Sequence, residues 1–347
     1  MSKSFGINGF GRIGRTAVRV WWESHRDQLD LKLINTSGSM ELADWAHLLK
    51  YDTNYGVFSE EIQVDQQQTK DQVSDDNPIL GTLTIGDHQI TVTAQRDPAK
   101  LDWAKFGAEI VIESTGAFRS EEKARLYLQG GAKHVLISAP DKGGNVDMGV
   151  LGLNELDPNN PIHSNASCTT QCVATVAQVM VQNFGVEKAT LTTIHSYTDD
   201  QRLQDNSHKD LRRARSAAEN MIPTSTGAAK AVGRVAPELE GIFDGLSVRV
   251  PTPVGSISDM VFLTKKDTTA EEVNQVFRDA AASDHWRGIL AVTDEPLVSS
   301  DIVGRSESSI VDLGLTQVIG GNLVKVVSWY DNEWGYCHRL IEQVTKL

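Results

Sequence analysis

The cysteine at position 168 stands in a sequence context that would activate its sulfur. Small and hydroxyl-bearing residues surround it in the run Ser164-Asn-Ala-Ser-Cys-Thr-Thr170, and the apolar stretch over 173–181 predicts a buried helix that starts beside it. The unpaired amides at a helix start favour a thiolate over a thiol. We therefore expect the pKa of Cys168 to lie below the about 8.5 of a free cysteine. The alternative interpretation is a small buried residue without chemistry.

A glycine motif near the start of the chain predicts a second chemical site. Gly9, Gly11 and Gly14 follow a short apolar strand and open a predicted helix over 12–23. In such a unit the first glycine allows a tight turn and the second lets the backbone approach a pyrophosphate. The third allows the helix to pack closely on the strand. The motif therefore predicts dinucleotide binding at the start of the first helix.

The composition argues against several classes of function. A chain of 347 residues suggests two domains, and its net charge of -13 argues against nucleic acid as the primary partner. No apolar run reaches membrane-spanning length, and residues 1–8 are typical of a strand rather than a signal peptide. Three cysteines are too few for a disulfide framework, which favours a reducing, cytoplasmic location.

Strand and helix signals alternate through the first half of the chain and change character after Cys168. Strands are predicted over 31–35, 109–113 and 134–138, with a helix over 120–129 that Ser120 caps. This alternation predicts an α/β fold with a Rossmann-type, doubly wound parallel sheet. β-rich runs over 188–197, 246–251, 258–265 and 311–329, with helices over 268–282 and 334–344, predict a second α+β domain with a mixed or antiparallel sheet. We expect a dinucleotide-binding domain over 1–167 plus 332–347 and a catalytic domain over 168–331.

Five ordered motifs make the chain similar to the phosphorylating glyceraldehyde-3-phosphate dehydrogenases. The motifs lie at 7–15, 164–170, 193–198, 223–230 and 329–336, and the similarity runs from residue 5 to the C-terminus. The resemblance implies that a cysteine attacks the aldehyde, that hydride passes to NAD or NADP, and that inorganic phosphate releases an acyl phosphate. It also implies a homotetramer whose other partners are small molecules.

The resemblance assigns roles to particular residues. Cys168 is the expected nucleophile, and His195 is the expected base that takes the hydroxyl proton as hydride leaves. The two phosphate pockets are expected to use Ser167, Thr169, Thr198, Arg215, Thr226, Gly227 and Arg249, with Arg213 as the alternative to Arg215. The cofactor is expected to contact Asn8, Gly9, Gly11, Arg12, Ile13, Gly14, Asn35, Thr36, Arg96, Ser114, Thr115, Gly116, Ser138, Ser207, Asn332 and Tyr336. No metal site is predicted.

Two positions depart from the pattern of the NAD-specific relatives. Thr36 stands where they carry an aspartate, and Ser207 stands where photosynthetic NADP-using relatives carry serine. A carboxylate at the first position would repel a 2′-phosphate, whereas hydroxyls can donate to it. We therefore expect NADP to be accepted. Glu41, in a loop about two residues longer than usual, is the alternative carboxylate that would favour NAD.

Three further expectations concern neighbouring features. Cys172 is expected to be a core residue, with a regulatory disulfide to Cys168 as the alternative. The polar segment over 66–81 is longer than its family counterpart, and we expect a peripheral loop that takes no part in catalysis. Erythrose-4-phosphate dehydrogenase is the alternative function, although Thr198 favours the three-carbon substrate. A binding protein without turnover is a further alternative, which the intact set of catalytic residues disfavours.

Overall fold

The computed structural model describes residues 2–143 and 145–347, which form two compact units. The first unit comprises Met1–Gly149, Leu156–Ala166 and Cys337–Leu347. The second comprises Val150–Glu155 and Ser167–Tyr336. In the described part of the chain, no helix is long and apolar enough to cross a membrane.

The first unit is built around a nine-stranded sheet. Its elements are β1 (Lys3–Asn8), α1 (Arg12–Val20), β2 (Leu29–Asn35), α2 (Leu42–Lys50), β3 (Tyr51–Asp52), β4 (Gly56–Val57), β5 (Ile62–Gln66), β6 (Ile79–Ile85), β7 (His88–Thr93), β8 (Ile110–Glu113), α3 (Glu121–Gln129), β9 (His134–Ile137), β10 (Asp147–Met148) and β11 (Ile162–Ser164). The strand order is β10-β11-β9-β8-β1-β2-β7-β6-β5, while β3 and β4 form a separate ribbon.

Strand β1 lies at the topological switch point of this sheet, where the order in which strands are added reverses. Its neighbours β2 and β8 both run parallel to it, and the chain builds outward from β2 on one side and from β8 on the other. Near one edge of this sheet β6 pairs antiparallel with both β5 and β7, whereas the other neighbouring strands among the described residues run parallel. The predicted doubly wound parallel sheet is confirmed. Ligands of such sheets bind beyond the carboxyl ends of the strands that flank this switch point.

The local signals for helices in this unit are confirmed with one difference. Ser120 caps α3 by accepting a hydrogen bond from the amide of Lys123. The helix predicted over 12–23 is α-helical only to Val20 and continues as a π-helical turn over Trp21–His25. Trp21 and Trp22 are buried in this turn. Hydrophobic periodicity cannot distinguish such a turn from a continuing α-helix, because the extra residue per turn leaves no signal over so short a segment.

The second unit contains an eight-stranded mixed sheet. Its elements are α4 (Cys168–Phe184), β12 (Val186–Ser196), β13 (Ile222–Ser225), α5 (Ala228–Val235), β14 (Phe243–Val250), β15 (Ser256–Thr264), α6 (Ala270–Ala282), β16 (Leu290–Thr293), β17 (Ser309–Asp312), β18 (Gln317–Ile319), β19 (Leu323–Tyr330) and the start of α7 (Trp334–Lys346), whose later residues belong to the first unit. The order is β13-β14-β12-β15-β19-β17-β16, with β18 paired to β19. The predicted mixed sheet is confirmed.

Helix α4 is the central helix of this unit. The residues from Thr169 to Ala177 are all buried, and the helix packs against β15, β17 and β19. The β-rich run predicted over 311–329 is divided into three strands. A 3-10 turn over Leu313–Leu315 separates β17 from β18, and Gly320 and Gly321, both with positive φ, lie between β18 and β19. Burial of the residues that follow holds the start of α4, and therefore Cys168, in one place.

Candidate active site

The backbone just before Cys168 turns sharply to begin α4. Ala166 has φ +54° and is fully buried; among the described residues it is the one non-glycine residue with positive φ. Such a conformation is uncommon for alanine and concentrates at functional sites. Ser167 follows as the N-cap, and its Oγ accepts a hydrogen bond from the amide of Thr170 at 3.1 Å. Cys168 is therefore the first residue of a capped helix, as the sequence predicts.

His195 reaches the sulfur from the neighbouring sheet. It lies near the end of β12, and its Nε2 is 3.4 Å from the Sγ of Cys168. Strand β14 runs parallel to β12 in a register that sets Arg249 directly beside His195. The structure thus brings together the three predicted residues Cys168, His195 and Arg249, which lie far apart in the chain.

The other ring nitrogen of His195 has two close neighbours. Nδ1 is 2.6 Å from the carbonyl oxygen of Ser196 and 2.7 Å from Nη1 of Arg249. A carbonyl only accepts and a guanidinium only donates, so a neutral ring satisfies one of these contacts. We assign the proton to Nδ1, which then donates to the carbonyl oxygen of Ser196. The guanidinium keeps an acceptor in this tautomer, because Nη1 of Arg249 also donates to Ser196 O at 3.0 Å. This tautomer leaves Nε2 as a proton acceptor that faces the thiol.

Burial dominates the ionisation of this pair. It raises the pKa of the Cys168 thiol, although Arg249 and the hydroxyl of Thr169 act in the opposite direction. Burial and the charge of Arg249 lower the pKa of His195 to about 3. The expectation of a lowered thiol pKa is therefore wrong for this structure, because the sequence does not reveal how far the thiolate is removed from water. The resting pair is a neutral thiol beside a neutral imidazole.

Arg249 holds an unused donor next to this pair. Its Nε is buried and has no hydrogen-bond partner, whereas Nη1 is engaged by the His195 region. Burial lowers the pKa of Arg249, and the nearby charge of Arg213 lowers it further. A half-buried cation with a buried, unpaired donor and a second cation nearby forms an environment suited to an anion.

The two arginines that the sequence left as alternatives lie in different surroundings. Arg213 donates through Nε to the hydroxyl of Thr224 on β13 at 2.9 Å and also pairs with Asp200. The side chain of Arg215 is 63% exposed and pairs with Asp205 at 2.7 Å. The geometry therefore favours Arg213, whereas the sequence reasoning chose Arg215. Side-chain direction in this irregular segment could not be inferred from spacing.

The remaining predicted phosphate ligands lie at ends of elements in the same unit. Thr198 follows β12 and is half-buried. Thr226 and Gly227 connect β13 to α5; Thr226 Oγ1 accepts from the amide of Ala228 at 3.2 Å, and Gly227 is the N-cap. Strand β13 pairs with β14 so that Ile222 faces Arg249. The site is thus formed by the ends of neighbouring strands and the starts of two helices.

Tyr330 is a site residue that the sequence reasoning missed. Its hydroxyl lies 3.0 Å from Thr169 Oγ1 and 2.8 Å from Thr193 Oγ1, and its ring meets His195 edge-on with centroids 6.0 Å apart. Tyr330 is buried, so its hydroxyl holds Thr169 and its ring holds His195, the two residues next to the sulfur of Cys168. Its position at the end of a β-rich run, inside a recognised motif, was the available signal.

Asn332 occupies a constrained position after β19. Its Oδ1 accepts from the amide of Gly255 at 3.1 Å and from the hydroxyl of Ser256 at 2.9 Å. These two bonds fix the plane of the side-chain amide and leave Nδ2 as its donor group. Asp331 accepts from the amides of Glu333 and Trp334 and so caps α7, on which Tyr336 is buried.

The glycine motif in the first unit has the geometry that a dinucleotide site needs. Gly9 has φ +98°, and a Cβ there would lie 2.7 Å from the amide nitrogen of Thr115. A Cβ on Gly14 would clash with the carbonyl oxygen of Gly9. Gly11 differs, because it is the N-cap of α1 and a Cβ on it would meet nothing within 4 Å. The start of α1 is therefore open, and its amides face that space.

A buried polar network supports this turn from below. Asn35 donates to Asn8 Oδ1 at 2.6 Å, and Asn8 donates to Glu113 Oε2 at 3.0 Å. Glu113 also accepts from the hydroxyl of Tyr127 and from the amides of Thr115 and Gly116. Asn8 and Asn35 thus hold the strand ends together, and Glu113 is a second residue that sequence reasoning missed.

The other predicted cofactor residues of the first unit surround the same strand ends. Ser114 donates to the carbonyl oxygen of Gly9 at 2.8 Å, Gly116 has φ +72°, and Ser138 donates its amide to Glu113 O at 2.9 Å. Arg12 pairs with Asp52, Ile13 is half-buried, and Arg96 is exposed. All lie in the first unit, whereas Ser207, Asn332 and Tyr336 lie in the second.

The loop after β2 presents serines rather than Thr36. Thr36 is buried and donates to Thr93 O at 3.1 Å, while Ser37 and Ser39 are exposed with their hydroxyls 2.9 Å apart. The Oε2 of Glu41 accepts from Gln66 Nε2 at 2.7 Å and from the amide of Lys70 at 3.1 Å. The last residue of β5 and the loop that follows it therefore engage the carboxylate that could have replaced the missing aspartate. Ser207 is exposed.

The two cysteines outside the catalytic pair are both buried thiols. Cys172 lies 3.8 Å from Ser309 Oγ, and burial raises its pKa to about 12. Cys337 lies 3.6 Å from the carbonyl oxygen of Ile13. A buried thiol with so high a pKa is poorly reactive, which favours the core interpretation of Cys172 over a regulatory disulfide.

The chain is similar to known proteins over most of its length. Residues 3–121 match the family described as "Glyceraldehyde 3-phosphate dehydrogenase, NAD binding domain", and residues 167–332 match the corresponding C-terminal domain. A relative from Zea mays, "Glyceraldehyde-3-phosphate dehydrogenase A, chloroplastic", is 48% identical over 97% of this chain and 80% of its own length. "Glyceraldehyde-3-phosphate dehydrogenase 2" from Streptomyces arenae is 46% identical over 99% and 98%. "Glyceraldehyde-3-phosphate dehydrogenase GAPB, chloroplastic" from Arabidopsis thaliana is 46% identical over 97% and 72%.

Proposed function

This chain belongs to the glyceraldehyde-3-phosphate dehydrogenase family, and from that premise we propose that it oxidises glyceraldehyde 3-phosphate to 1,3-bisphosphoglycerate. Inorganic phosphate is the acyl acceptor, and a nicotinamide cofactor takes up the hydride. The observation that carries the proposal is the thiol of Cys168 at the start of α4, 3.4 Å from the Nε2 of His195. A sulfur nucleophile beside a neutral imidazole is the arrangement that covalent aldehyde chemistry requires.

The reaction begins as Cys168 Sγ attacks the aldehyde carbon. The S–C bond forms, the thiol proton passes to the carbonyl oxygen by way of His195 Nε2, and a thiohemiacetal results. As the C–H hydride leaves, His195 takes the hydroxyl proton and the C=O bond re-forms as a thioester. A phosphate oxygen then attacks the thioester carbon, the C–S bond breaks, and the thiolate recovers its proton from the imidazolium.

Arg249 is the residue we assign to the phosphate group of the substrate. Its buried Nε has no partner in the ligand-free protein, and an oxyanion would supply one. A phosphate there would also offset the two positive charges of Arg249 and Arg213, of which the first is largely removed from water. Thr198 at the end of β12 adds a hydroxyl donor. Ser167, Thr169, Thr226 and Gly227 are the proposed ligands of the attacking phosphate.

Two matched substitutions test which arginine belongs to this site. Arg213→Ala is expected to raise KM for glyceraldehyde 3-phosphate or for phosphate about tenfold or more, because a charge-assisted contact contributes about 1.5–3 kcal/mol. Arg215→Ala removes the same charge from an exposed ion pair and should leave both constants within about twofold. Steady-state kinetics with each substrate varied in turn measures the difference. The reverse pattern would restore the original choice of Arg215.

For the cofactor, we propose that NADP is accepted as well as NAD. The support is local: Ser37 and Ser39 expose hydroxyls after β2, and Glu41 is held by Gln66 and Lys70. The amide groups of Gln66 and Lys70 hold the Glu41 carboxylate against the segment after β5, and the hydroxyls of Ser37 and Ser39 can donate to a 2′-phosphate. The ratio of kcat/KM for the two cofactors tests this, and a hundredfold preference for NAD would overturn it.

One assay separates the proposed function from the alternative. The purified protein is offered glyceraldehyde 3-phosphate or erythrose 4-phosphate, with and without inorganic phosphate, and both reduced cofactor and acyl phosphate are measured. We expect phosphate-dependent turnover of the three-carbon aldehyde. Faster, phosphate-independent turnover of the four-carbon aldehyde would contradict the proposal. The homotetramer and the cytoplasmic location stay predictions, and light scattering on the purified protein measures the assembly.

A further inference from the structure

Two histidines and a glutamate from the two ends of the chain meet on the first unit. His25 ends the π-helical turn that follows α1, while His338 and Glu342 lie one turn apart on α7. One ligand atom from each residue lies within 4.8 Å of those of the other two. The rings of His25 and His338 face each other edge-on with centroids 6.0 Å apart. None of these residues takes part in the proposed reaction.

The geometry points to a binding site for a divalent transition-metal ion of the Zn²⁺ type, with His25, His338 and Glu342 as its protein ligands. Two imidazoles and one carboxylate form a ligand set that proteins use for Zn²⁺, with the fourth position filled by water. Zn²⁺ and Co²⁺ both suit this mixture of nitrogen and oxygen donors, whereas Mg²⁺ and Ca²⁺ prefer oxygen alone.

The spacing of the three atoms allows an ion to enter with small side-chain movements. Three atoms no more than 4.8 Å apart can all lie within about 2.8 Å of one point, because the radius of an equilateral triangle is its edge divided by √3. Bonds from Zn²⁺ to histidine and carboxylate are about 2.0–2.2 Å long. Each ligand atom therefore has to move by less than about 1 Å, which small rotations of the side chains supply.

The second observation is an unpaired ring nitrogen of His25. Its Nδ1 is buried and has no hydrogen-bond partner. A buried ring nitrogen without a partner is costly, and a metal ion would provide one.

Arg339 is the one cation that contacts this cluster in the hydrogen bonds described. Its Nη2 donates to Glu342 Oε1 at 2.6 Å, which leaves Oε2 for the ion. Carboxylates that bind metals are commonly oriented by a hydrogen bond of this kind from an outer residue. The guanidinium reduces the affinity through repulsion, but it also sets the direction of the carboxylate. Metal binding would tie the end of α7 to the turn after α1, both of which belong to the first unit.

The experiment uses Co²⁺ as a spectroscopic probe and Zn²⁺ as its competitor. All proteins carry Cys168→Ser, because the catalytic thiol is itself a metal ligand. We expect visible absorbance from one Co²⁺ per chain, its loss when Zn²⁺ is added, and a rise in Tm with Zn²⁺. Adding His25→Ala should weaken Co²⁺ binding at least tenfold and abolish the rise in Tm.

Two further variants make the result decisive. Glu342→Gln keeps the size and the fold but removes the anionic ligand, and should also weaken binding at least tenfold. His47→Ala removes an exposed histidine on α2 and should leave binding unchanged. The proposal is overturned if both His25→Ala and Glu342→Gln bind Co²⁺ as tightly as their parent. It is equally overturned if the parent binds no Co²⁺ at millimolar concentration.

Discussion

The starts of α1 and α4 share the unpaired amides of a helix N-terminus but differ in what those amides face. At α1 the N-cap is Gly11, no side chain caps the helix, and a Cβ on Gly11 would meet nothing within 4 Å. At α4 the N-cap is Ser167, its hydroxyl satisfies the amide of Thr170, and the thiol of Cys168 stands at the helix start. Both starts carry the positive end of a helix dipole. The first leaves it open to a ligand anion, and the second directs it at a nucleophile of the protein itself.

The side chains around the two helix starts also differ in whether they can exchange protons. The turn at Gly9–Gly14 rests on a network of backbone and amide groups around the buried side chains of Glu113 and Tyr127. The thiol of Cys168 faces the imidazole of His195, which can accept its proton, and the guanidinium of Arg249 lies against the same ring. A binding site needs a fixed shape, whereas a covalent site also needs partners that move protons.

The largest expected effect removes the nucleophile that distinguishes α4 from α1. Cys168→Ser should lower kcat by about 10⁴-fold or more, because a neutral hydroxyl is a much weaker nucleophile than a sulfur. Cofactor affinity, measured by calorimetry, should stay within about twofold, since the open start of α1 is unchanged. Turnover that survived this substitution would contradict the covalent mechanism.

A smaller effect is expected when the proton acceptor is removed. His195→Asn should lower kcat by about 10²–10⁴-fold, the range that general acid–base catalysis contributes. It should also slow alkylation of Cys168 by iodoacetamide at neutral pH. An alkylation rate equal to that of the parent protein would show that the ring does not assist ionisation of the thiol.

The same substitution should change the acid stability of the protein. Because burial lowers the pKa of His195 from 6.5 to about 3, the unfolded chain binds this proton first as the pH falls. The ring therefore contributes its full stability above its unfolded pKa, and that contribution is lost as the pH falls through the interval down to about 3. His195→Asn should flatten the fall in the free energy of unfolding over this interval. Urea titrations at several pH values measure it.

The next prediction compares the stability and the cofactor affinity of two glycine variants at the start of α1. Gly11→Ala has room for its methyl group in the ligand-free protein, so stability should be kept while cofactor affinity falls about tenfold or more. Gly14→Ala would clash with Gly9 O and should cost about 3 kcal/mol of unfolding free energy. Calorimetry and urea denaturation of the pair test the distinction. Equal loss of stability in both variants would show that the start of α1 is not an open site.

The smallest expected effect concerns Tyr330 beside α4. Tyr330→Phe keeps the ring against His195 but removes the hydroxyl that lies between Thr169 and Thr193. We expect a loss of about 1–2 kcal/mol in the free energy of unfolding, because buried partners lose a hydrogen bond. The value of kcat should fall a few fold, with KM nearly unchanged. A change confined to KM would assign Tyr330 to substrate binding instead of positioning.

Much of the fold and part of the site could be predicted from local sequence. The order of the three glycines after an apolar strand predicts the turn at β1, since each glycine answers a local steric requirement. Ser120 was recognisable as a cap, and the alternation of strands and helices predicted the doubly wound sheet. These features depend on residues within a few positions of one another.

Only the tertiary structure decided which distant groups meet and how they ionise. Arg249 lies beside His195 because β12 and β14 are parallel neighbours in one register. Arg213 rather than Arg215 turns toward β13, Glu41 is held by Gln66, and His25 meets the terminal helix. Burial reversed the expected direction of the thiol pKa. Strand order, side-chain direction and exclusion of water arise from packing across the whole chain, which no short segment of sequence encodes.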